Sequence, residues 1–207
     1  NVVVSDGTNQ DVEAIIVNVT DTNDESPVLT VATPYSVAEG ATIVGTVTTT
    51  DADAGATTSY SLTGTDNALF TINSDGDIVF ATAPDFETPG SSLNTNAYSL
   101  NVVVSDGTNQ DVEAIIVNVT NENDSTPAFT SANAFSVAEG GTAVDTLTGT
   151  DADGSTPTFS TVLTGTDAAD FDLTADGVLT FKATTDFENP IDADIDNVYS
   201  ITATITD

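Results

Sequence analysis

The stretch NVVVSDGTNQDVEAIIVNV occupies residues 1–19 and recurs without a single change at residues 101–119. A second, weaker match aligns residues 27–106 with residues 127–207 after one inserted residue. Self-similarity at a fixed period, here 100 residues, is typical of tandem domain arrays. The sequence therefore predicts three parts: the C-terminal strands of a preceding repeat, a complete repeat, and a repeat lacking its last strand, at 1–26, 27–126 and 127–207.

Each repeat has the pattern of short β-strands. Apolar residues alternate with polar ones over 98–104 and again over 115–119, the period-two pattern of half-buried strands. Asp75-Gly76 and Asp176-Gly177 lie between short apolar runs and predict tight turns. About seven such strands in about 100 residues indicate a β-sandwich with Greek-key connections.

The composition excludes several classes of partner. The chain carries 33 Asp and Glu against one Lys and no Arg, for a net charge of −32. One cationic side chain is too few to hold phosphates, so we expect no binding to nucleic acid or to anionic membrane surfaces. No run of 18 apolar residues occurs, so we expect no membrane insertion. His and Cys are absent as well, and the remaining carboxylates, amides and carbonyls suit hard cations such as Ca2+.

The acidic residues cluster where strands end and repeats join. The joints read DTNDESP at 21–27 and NENDSTP at 121–127, with Pro closing each cluster. Asp51 and Asp53 share a face by strand alternation, and Asp106 ends the inward-facing side of its strand. This placement favours cation binding over a merely solubilising acidic surface.

Five motifs resemble the signatures of cadherin repeats, in the family's order. They read VAEG, TDADAG, DFE, VVVSDG and DTNDESP, and the resemblance covers the whole chain. It implies an all-β chain of tandem seven-stranded Greek-key β-sandwiches joined end to end. The near-perfect copies and the scarcity of Lys and Arg resemble giant bacterial surface adhesins more than animal cadherins.

The resemblance also implies three calcium ions at each joint, bound by the base of one repeat, the linker, and the top of the next. Seven carboxylates would then face six positive charges at the second joint, with backbone carbonyls of the linker as further ligands. The residues implied are Glu39, Asp85, Glu87, Asn121, Asn123, Asp124, Asp151, Asp153 and Asp207 at the second joint, Asp21, Asn23, Asp24, Asp51, Asp53 and Asp106 at the first, and Glu139, Asp186 and Glu188 at the base of the last repeat.

Two departures from the family pattern bear on affinity. Asn121 stands where the family has Asp and where the first joint has Asp21, so we expect a weaker ion site there. The DFE motif keeps both acids of the family's DRE motif and loses its Arg.

Three functions compete. The favoured one is a calcium-stiffened stalk, filament or adhesin segment, extracellular or at the cell surface, whose partners are neighbouring repeats or copies end to end. The alternative is a calcium-dependent module that binds surface glycans or proteins through its loops, but most of its aromatic residues occupy strand positions typical of a core. A glycosidase using Asp85 and Glu87 is the third, and the repetition of this pair in the next repeat argues against it. We therefore predict that the chain is not an enzyme.

Two interpretations fit the incomplete repeats at the ends of the chain. Since the sequence opens without Met, we expect it to be a segment of a longer chain of repeats. Alternatively, the strand predicted at 11–20 completes the last sandwich of another copy, which would build filaments.

Overall fold

A computed structural model describes all 207 residues and shows an almost purely β chain. The chain divides into two compact units, residues 1–120 and 121–207. Its two helices are single 3-10 turns at Asn67–Leu69 and Ala168–Asp170, and no helix has the length and apolar character needed to cross a membrane. The predicted all-β sandwich class is confirmed. The repeat boundaries at 26/27 and 126/127 stay predictions.

The first unit contains eleven strands. They are β1 Val2–Ser5, β2 Gln10–Glu13, β3 Val28–Thr30, β4 Tyr35–Ala38, β5 Ile43–Thr46, β6 Thr48–Thr50, β7 Ser59–Thr63, β8 Phe70–Ile72, β9 Asp77–Phe80, β10 Ala97–Ser105 and β11 Gln110–Thr120.

Two main sheets enclose the core of the first unit. One has the order β4-β11-β10-β7, with β4 parallel to β11, and the other has the order β5-β9-β8. β3 pairs with β6 in a separate short antiparallel ladder. The inward residues of both sheets form one buried cluster, in which Phe70 and Phe80 pack edge-on against Tyr98. The predicted alternation is confirmed, since Tyr98, Leu100, Val102 and Val104 are all at most 2% exposed.

The second unit keeps the three-stranded sheet of the first, but its other ladders are shorter. Its strands are β12 Ala128–Phe129, β13 Ala143–Thr146, β14 Gly149–Thr150, β15 Thr158–Phe159, β16 Phe171–Leu173, β17 Val178–Phe181 and β18 Ile205–Thr206. Its sheets are β13-β17-β16, β12-β14 and β15-β18. Phe171, Phe181 and Tyr199 reproduce the aromatic packing of the first unit, with Tyr199 only partly buried.

The predicted Asp-Gly turns are present in both units. Gly76 and Gly177 have φ of 84° and 87° and connect β8 to β9 and β16 to β17. A Cβ at Gly76 would lie 2.4 Å from the Val47 carbonyl oxygen, so a side chain is excluded there by both conformation and space.

The strands at the chain ends are shorter than predicted. The strand expected at 11–20 ends at Glu13, and residues 14–20 have no strand structure, although the identical residues 114–120 continue β11. Residues 199–204 likewise form only one isolated bridge, at Thr202, ahead of β18. β11 holds its full length because it is paired with β10 along its length and with β4 at its end. Residues 14–20 have no such neighbour, and an unpaired strand in water is not stable.

Candidate metal centres

The Asp53 group comprises the six residues predicted at the first joint, all in the first unit. Glu25 N donates to Asp53 Oδ2 (3.0 Å), and Asp53 N donates to Asp51 Oδ1 (2.9 Å). Ala54 N donates to Asp21 Oδ2 (2.7 Å). Carboxylates thus connect the linker, residues 21–27, to the loop with the sequence DAD at residues 51–53, which we call the DAD loop. Asp24 lies in the same linker turn, where its amide donates to Thr22 O (3.0 Å).

The two carboxylate oxygens of Asp106 have different neighbours. Its Oδ1 accepts the amides of Thr108 and Asn109, both at 2.7 Å, in the turn after β10. These amides, that of Asn109 first, hold the pKa of Asp106 below its usual value. The carboxylate is therefore ionised at neutral pH, and Oδ2 faces Asn23.

The Asn23 amide stands between the carboxylates of Asp53 and Asp106. With its nitrogen toward them, Nδ2 donates to Asp53 Oδ2 (3.0 Å) and Asp106 Oδ2 (3.1 Å), and its oxygen accepts from Thr108 Oγ1 (3.2 Å). In the opposite orientation, the amide oxygen faces only acceptors. Three oxygens would then converge, an arrangement that a cation stabilises and the protein alone does not. The donor set fits a hard cation such as calcium.

Asp51 gives a second reason to expect a cation at this loop. Its Oδ2 is buried and has no hydrogen-bond partner. A buried carboxylate oxygen without a donor is costly, and in proteins such groups are paired or bound to a metal.

The Asp153 group is the equivalent set in the second unit. Asp153 N donates to Asp151 Oδ1 (2.9 Å), and Ser125 N donates to Asp153 Oδ2 (2.7 Å), as in the first unit. Carboxylate oxygens of Asp151, Asp153 and Asp207 lie within 4.8 Å of one another. Asp151 Oδ2 and Asp153 Oδ1 are both buried without a hydrogen-bond partner. Asn123 and Asp124 are exposed residues of the same linker.

Asn121 makes a different contact from that of Asp21. Its Nδ2 donates to Asp153 O (2.8 Å), whereas Asp21 accepts an amide from the same loop of its own unit. The amide side chain therefore replaces an acceptor by a donor at this place and removes one negative charge.

The remaining predicted ligands lie at the base of each unit. Glu39 Oε2 accepts the amide of Phe86 (2.8 Å), which holds the glutamate against the DFE loop, and a carboxylate oxygen of Glu87 lies within 4.8 Å of one of Glu39. Asp85 accepts the amide and the hydroxyl of Thr88, and the hydroxyl, more than the amide, lowers its pKa. A glycosidase acid needs a raised pKa, so this environment argues against that role for Asp85.

The base of the second unit repeats the arrangement. Glu139 Oε2 accepts the amide of Phe187 (2.9 Å), and carboxylate oxygens of Glu139, Asp186 and Glu188 lie within 4.8 Å of one another. Asn189 donates to Asp186, and its side chain contributes most to lowering the Asp186 pKa.

The sequence reasoning missed Asp66 and its equivalent Asp167, each 4% exposed. Asp66 accepts the amides of Ser92 and Ser99, both at 2.8 Å, and Asp167 accepts those of Ala193 and Ser200. The recurrence of LTGTD at 62–66 and 163–167 was the available signal. These carboxylates position the loop that precedes β10 and its equivalent, so their role is structural.

Comparisons with known proteins support the fold assignment. The chain is similar to human protocadherin-24 EC1-2, with 18% identity and a TM-score of 0.64 over 89% of this chain and 94% of that one. It is similar to mouse protocadherin-24 EC1-3, with 24% identity and a TM-score of 0.63 over 90% of this chain and 66% of that one. For mouse cadherin-23 EC22-24 the values are 23% identity and a TM-score of 0.57, over 82% of this chain and 58% of that one. No protein-family model and no curated protein sequence matches the chain. The chain has the cadherin fold.

Proposed function

We propose that the chain is a calcium-binding structural segment of an extracellular, adhesin-like repeat protein, with calcium bound where successive repeats join. The observation that carries the proposal is the set of buried carboxylate oxygens without donors, which recurs in both units at Asp51, Asp151 and Asp153. Asp51 lies in the DAD loop of the first unit, and Asp151 and Asp153 lie in the equivalent loop of the second. The pattern therefore recurs with the repeat.

The second joint would combine three contributions. Glu39, Asp85 and Glu87 supply the base of one repeat, Asn121, Asn123 and Asp124 the linker, and Asp151, Asp153 and Asp207 the top of the next. Seven of these residues are carboxylates, and three calcium ions would bring six positive charges to offset their repulsion. When bound, the ions would crosslink the repeats. Backbone amides already orient four of the carboxylates, those of Glu39, Asp85, Asp151 and Asp153.

The proteins that share this fold support a structural role outside the cell. Solved structures similar to this chain are cadherin and protocadherin fragments, among them extracellular cadherin domains of protocadherin gamma B2 and a cis-dimer of protocadherin gammaB7. By analogy, we place this chain outside the cell, with neighbouring repeats or copies as its partners. Surface glycans or other proteins would be bound by other parts of such an array, since most aromatic side chains of this chain lie in its two cores.

Calcium titration by calorimetry tests the proposal. The chain should bind several calcium ions, and Asp153→Asn should weaken or remove at least one binding step, because it removes a negative ligand from the second joint. Asp172→Asn, at an exposed strand position, is the matched control and should leave the isotherm unchanged. Absence of saturable binding at millimolar calcium, or equal effects of the two substitutions, would contradict the proposal.

A further inference from the structure

A third kind of carboxylate cluster lies in the loop before the last strands of the second unit. Asp192, Asp194 and Asp196 stand at alternate positions, and one carboxylate oxygen of each lies within 4.8 Å of those of the other two. None of the three belongs to the predicted joint sites. We call these residues the 192–196 cluster.

The centre of the cluster is a buried carboxylate with an unused oxygen. Asp192 is 3% exposed, and its Oδ2 accepts the amide of Asp196 (2.8 Å). Its Oδ1 is buried and has no hydrogen-bond partner. A carboxylate oxygen so placed loses hydration without gaining a donor, and buried charges in natural proteins are paired or bound to a metal.

The charges of the three groups act on one another. The Asp192 carboxylate faces the other two, since one of its oxygens lies within 4.8 Å of one oxygen of each. The pKa of Asp194 is raised, first by repulsion from Asp196 and then by the hydrogen bond that a protonated Asp194 would make to Asp192. Burial pushes the pKa of Asp192 upward, but amide hydrogen bonds, led by that of Asp196, outweigh it and leave the pKa lowered. Asp192 is thus a charged, buried group at neutral pH.

The chain supplies no cation of its own to this cluster. Its one Lys, Lys182, donates to Ala169 O (2.7 Å) and lies 3.9 Å from Asp172. The counter-charge must therefore come from solution.

The first unit shows that this loop folds without any acid. Ser91, Leu93 and Thr95 occupy the positions equivalent to the three acids. Ser91, like Asp192, is 3% exposed, and its hydroxyl donates to Thr95 O (2.7 Å) and accepts Thr95 N (3.0 Å). A serine satisfies both needs of the loop, whereas a carboxylate can only accept. The acids of the second unit are therefore additional to what the fold requires.

We propose that the 192–196 cluster binds one calcium ion of its own, separate from the ions at the joints. Three carboxylates would supply part of the six to eight oxygen ligands that calcium takes, and carbonyls of the loop and water would supply the rest. The site gives the two repeats different ion contents, since the loop at 91–95 has no carboxylate.

Counting bound calcium tests the proposal on the full chain. Equilibrium dialysis followed by atomic emission should show one ion fewer per chain in the double variant Asp194→Asn/Asp196→Asn than in the unsubstituted protein. Both residues are exposed, so the fold should be retained. The matched control is Asp172→Asn/Asp176→Asn, two exposed acids outside the cluster, which should keep the full count.

A second variant tests the proposal with side chains that already fold in the equivalent loop of the first unit. Asp192→Ser/Asp194→Leu/Asp196→Thr places the side chains of the first unit's loop in the second unit. It should also lose one ion, and in chelator it should melt higher than the unsubstituted protein, because the buried unpaired charge is gone. An unchanged ion count in both variants would overturn the proposal. If the joints bind no calcium, the unsubstituted protein should still bind the single ion that these variants lose.

Discussion

At the scale of single residues, the candidate sites depend on carboxylates whose two oxygens have different partners. Asp106 Oδ1 is held by two turn amides, while its Oδ2 faces Asn23. Asp151 uses Oδ1 to accept the amide of Asp153 and leaves Oδ2 buried without a donor. Backbone amides thus fix the direction of each side chain, and the second oxygen is left for a ligand. This division explains how an acidic cluster can be ordered before a cation binds.

Restoring the missing carboxylate at the second joint should strengthen calcium binding. Asn121→Asp removes the donor to Asp153 O and adds the charge that Asp21 has in the first unit. Because ligand charge tunes calcium affinity, we expect the weakest binding step to tighten by about tenfold. Calorimetric titration measures this, with Asp21→Asn as the reciprocal change. An isotherm identical to that of the unsubstituted protein would place Asn121 outside the coordination shell.

Asp66 should stabilise the first unit only while it is ionised. Asp66→Asn exchanges one acceptor oxygen for a donor beside the amides of Ser92 and Ser99, and should lower the free energy of unfolding by about 1–3 kcal/mol at pH 7. Burial pushes the pKa of Asp66 upward, but the amides of Ser99 and Ser92 outweigh it, so the folded-state pKa lies below its usual value. The stabilisation is therefore present above that usual value and is lost as the pH falls through the folded-state pKa.

Urea unfolding at several pH values measures the effect of Asp66→Asn. The difference between the variant and the unsubstituted protein should shrink below about pH 4. Asp75→Asn, at an exposed turn, is the control and should change the stability by less than about 0.5 kcal/mol. A difference that persists unchanged at pH 2 would show that Asp66 does not act through its charge.

At the scale of elements, the duplicated stretch shows which features of a strand depend on its own sequence and which depend on tertiary contacts. Residues 1–19 and 101–119 have the same sequence, yet β10 and β11 run as long paired strands while β1 and β2 are four residues each. Alternation predicted which side chains of β10 and β11 face inward, because that pattern is local. It could not predict where a strand ends, because that depends on the neighbouring strand and on the opposite sheet.

The same substitution in the two copies should have different effects on stability. Val117 is fully buried in β11, whereas Val17 is 80% exposed. Val117→Ala should lower the free energy of unfolding by about 2–3 kcal/mol, because it removes buried methyl groups and leaves a cavity. Val17→Ala, in an identical local sequence, should change it by less than about 0.5 kcal/mol. Denaturant unfolding followed by circular dichroism compares them, and equal effects would contradict the described burial.

The metal-binding role of the candidate residues stays a prediction, but the structure shows which of the clustered acids the sequence could point to. The sequence identified the acids of each DAD loop because they recur in register with the repeat. It did not identify Asp66, whose acceptor role depends on amides 26 and 33 residues away. It also missed the 192–196 cluster, because that loop differs between the two repeats and belongs to none of the recurring motifs. Which carboxylate oxygens lack donors is a property of the folded loops and cannot be derived from spacing.

At the scale of the whole molecule, the net charge of −32 makes cations part of the energetics. Ions that bind only the folded state stabilise it by mass action, by about 2.7 kcal/mol for one site at a concentration 100 times its Kd. Calcium should therefore raise the melting temperature, and Asp153→Asn should reduce that increase. Glu113→Gln, on the exposed side of β11, is the control and should retain it. Differential scanning calorimetry with and without chelator measures the increment, and a melting temperature independent of calcium would contradict ion binding by the folded state.

The central claim is that calcium fixes one repeat relative to the next, and a distance measurement between repeats tests it most directly. The chain has no Cys, so spin labels can be attached at Thr71→Cys and Asp172→Cys, equivalent exposed positions of β8 and β16. Double electron–electron resonance should give a narrow distance distribution in calcium and a broad one in chelator, because the seven carboxylates that we propose for the joint would repel one another without a cation. Adding Asp153→Asn should broaden the distribution even in calcium. Equal widths with and without calcium would contradict the account.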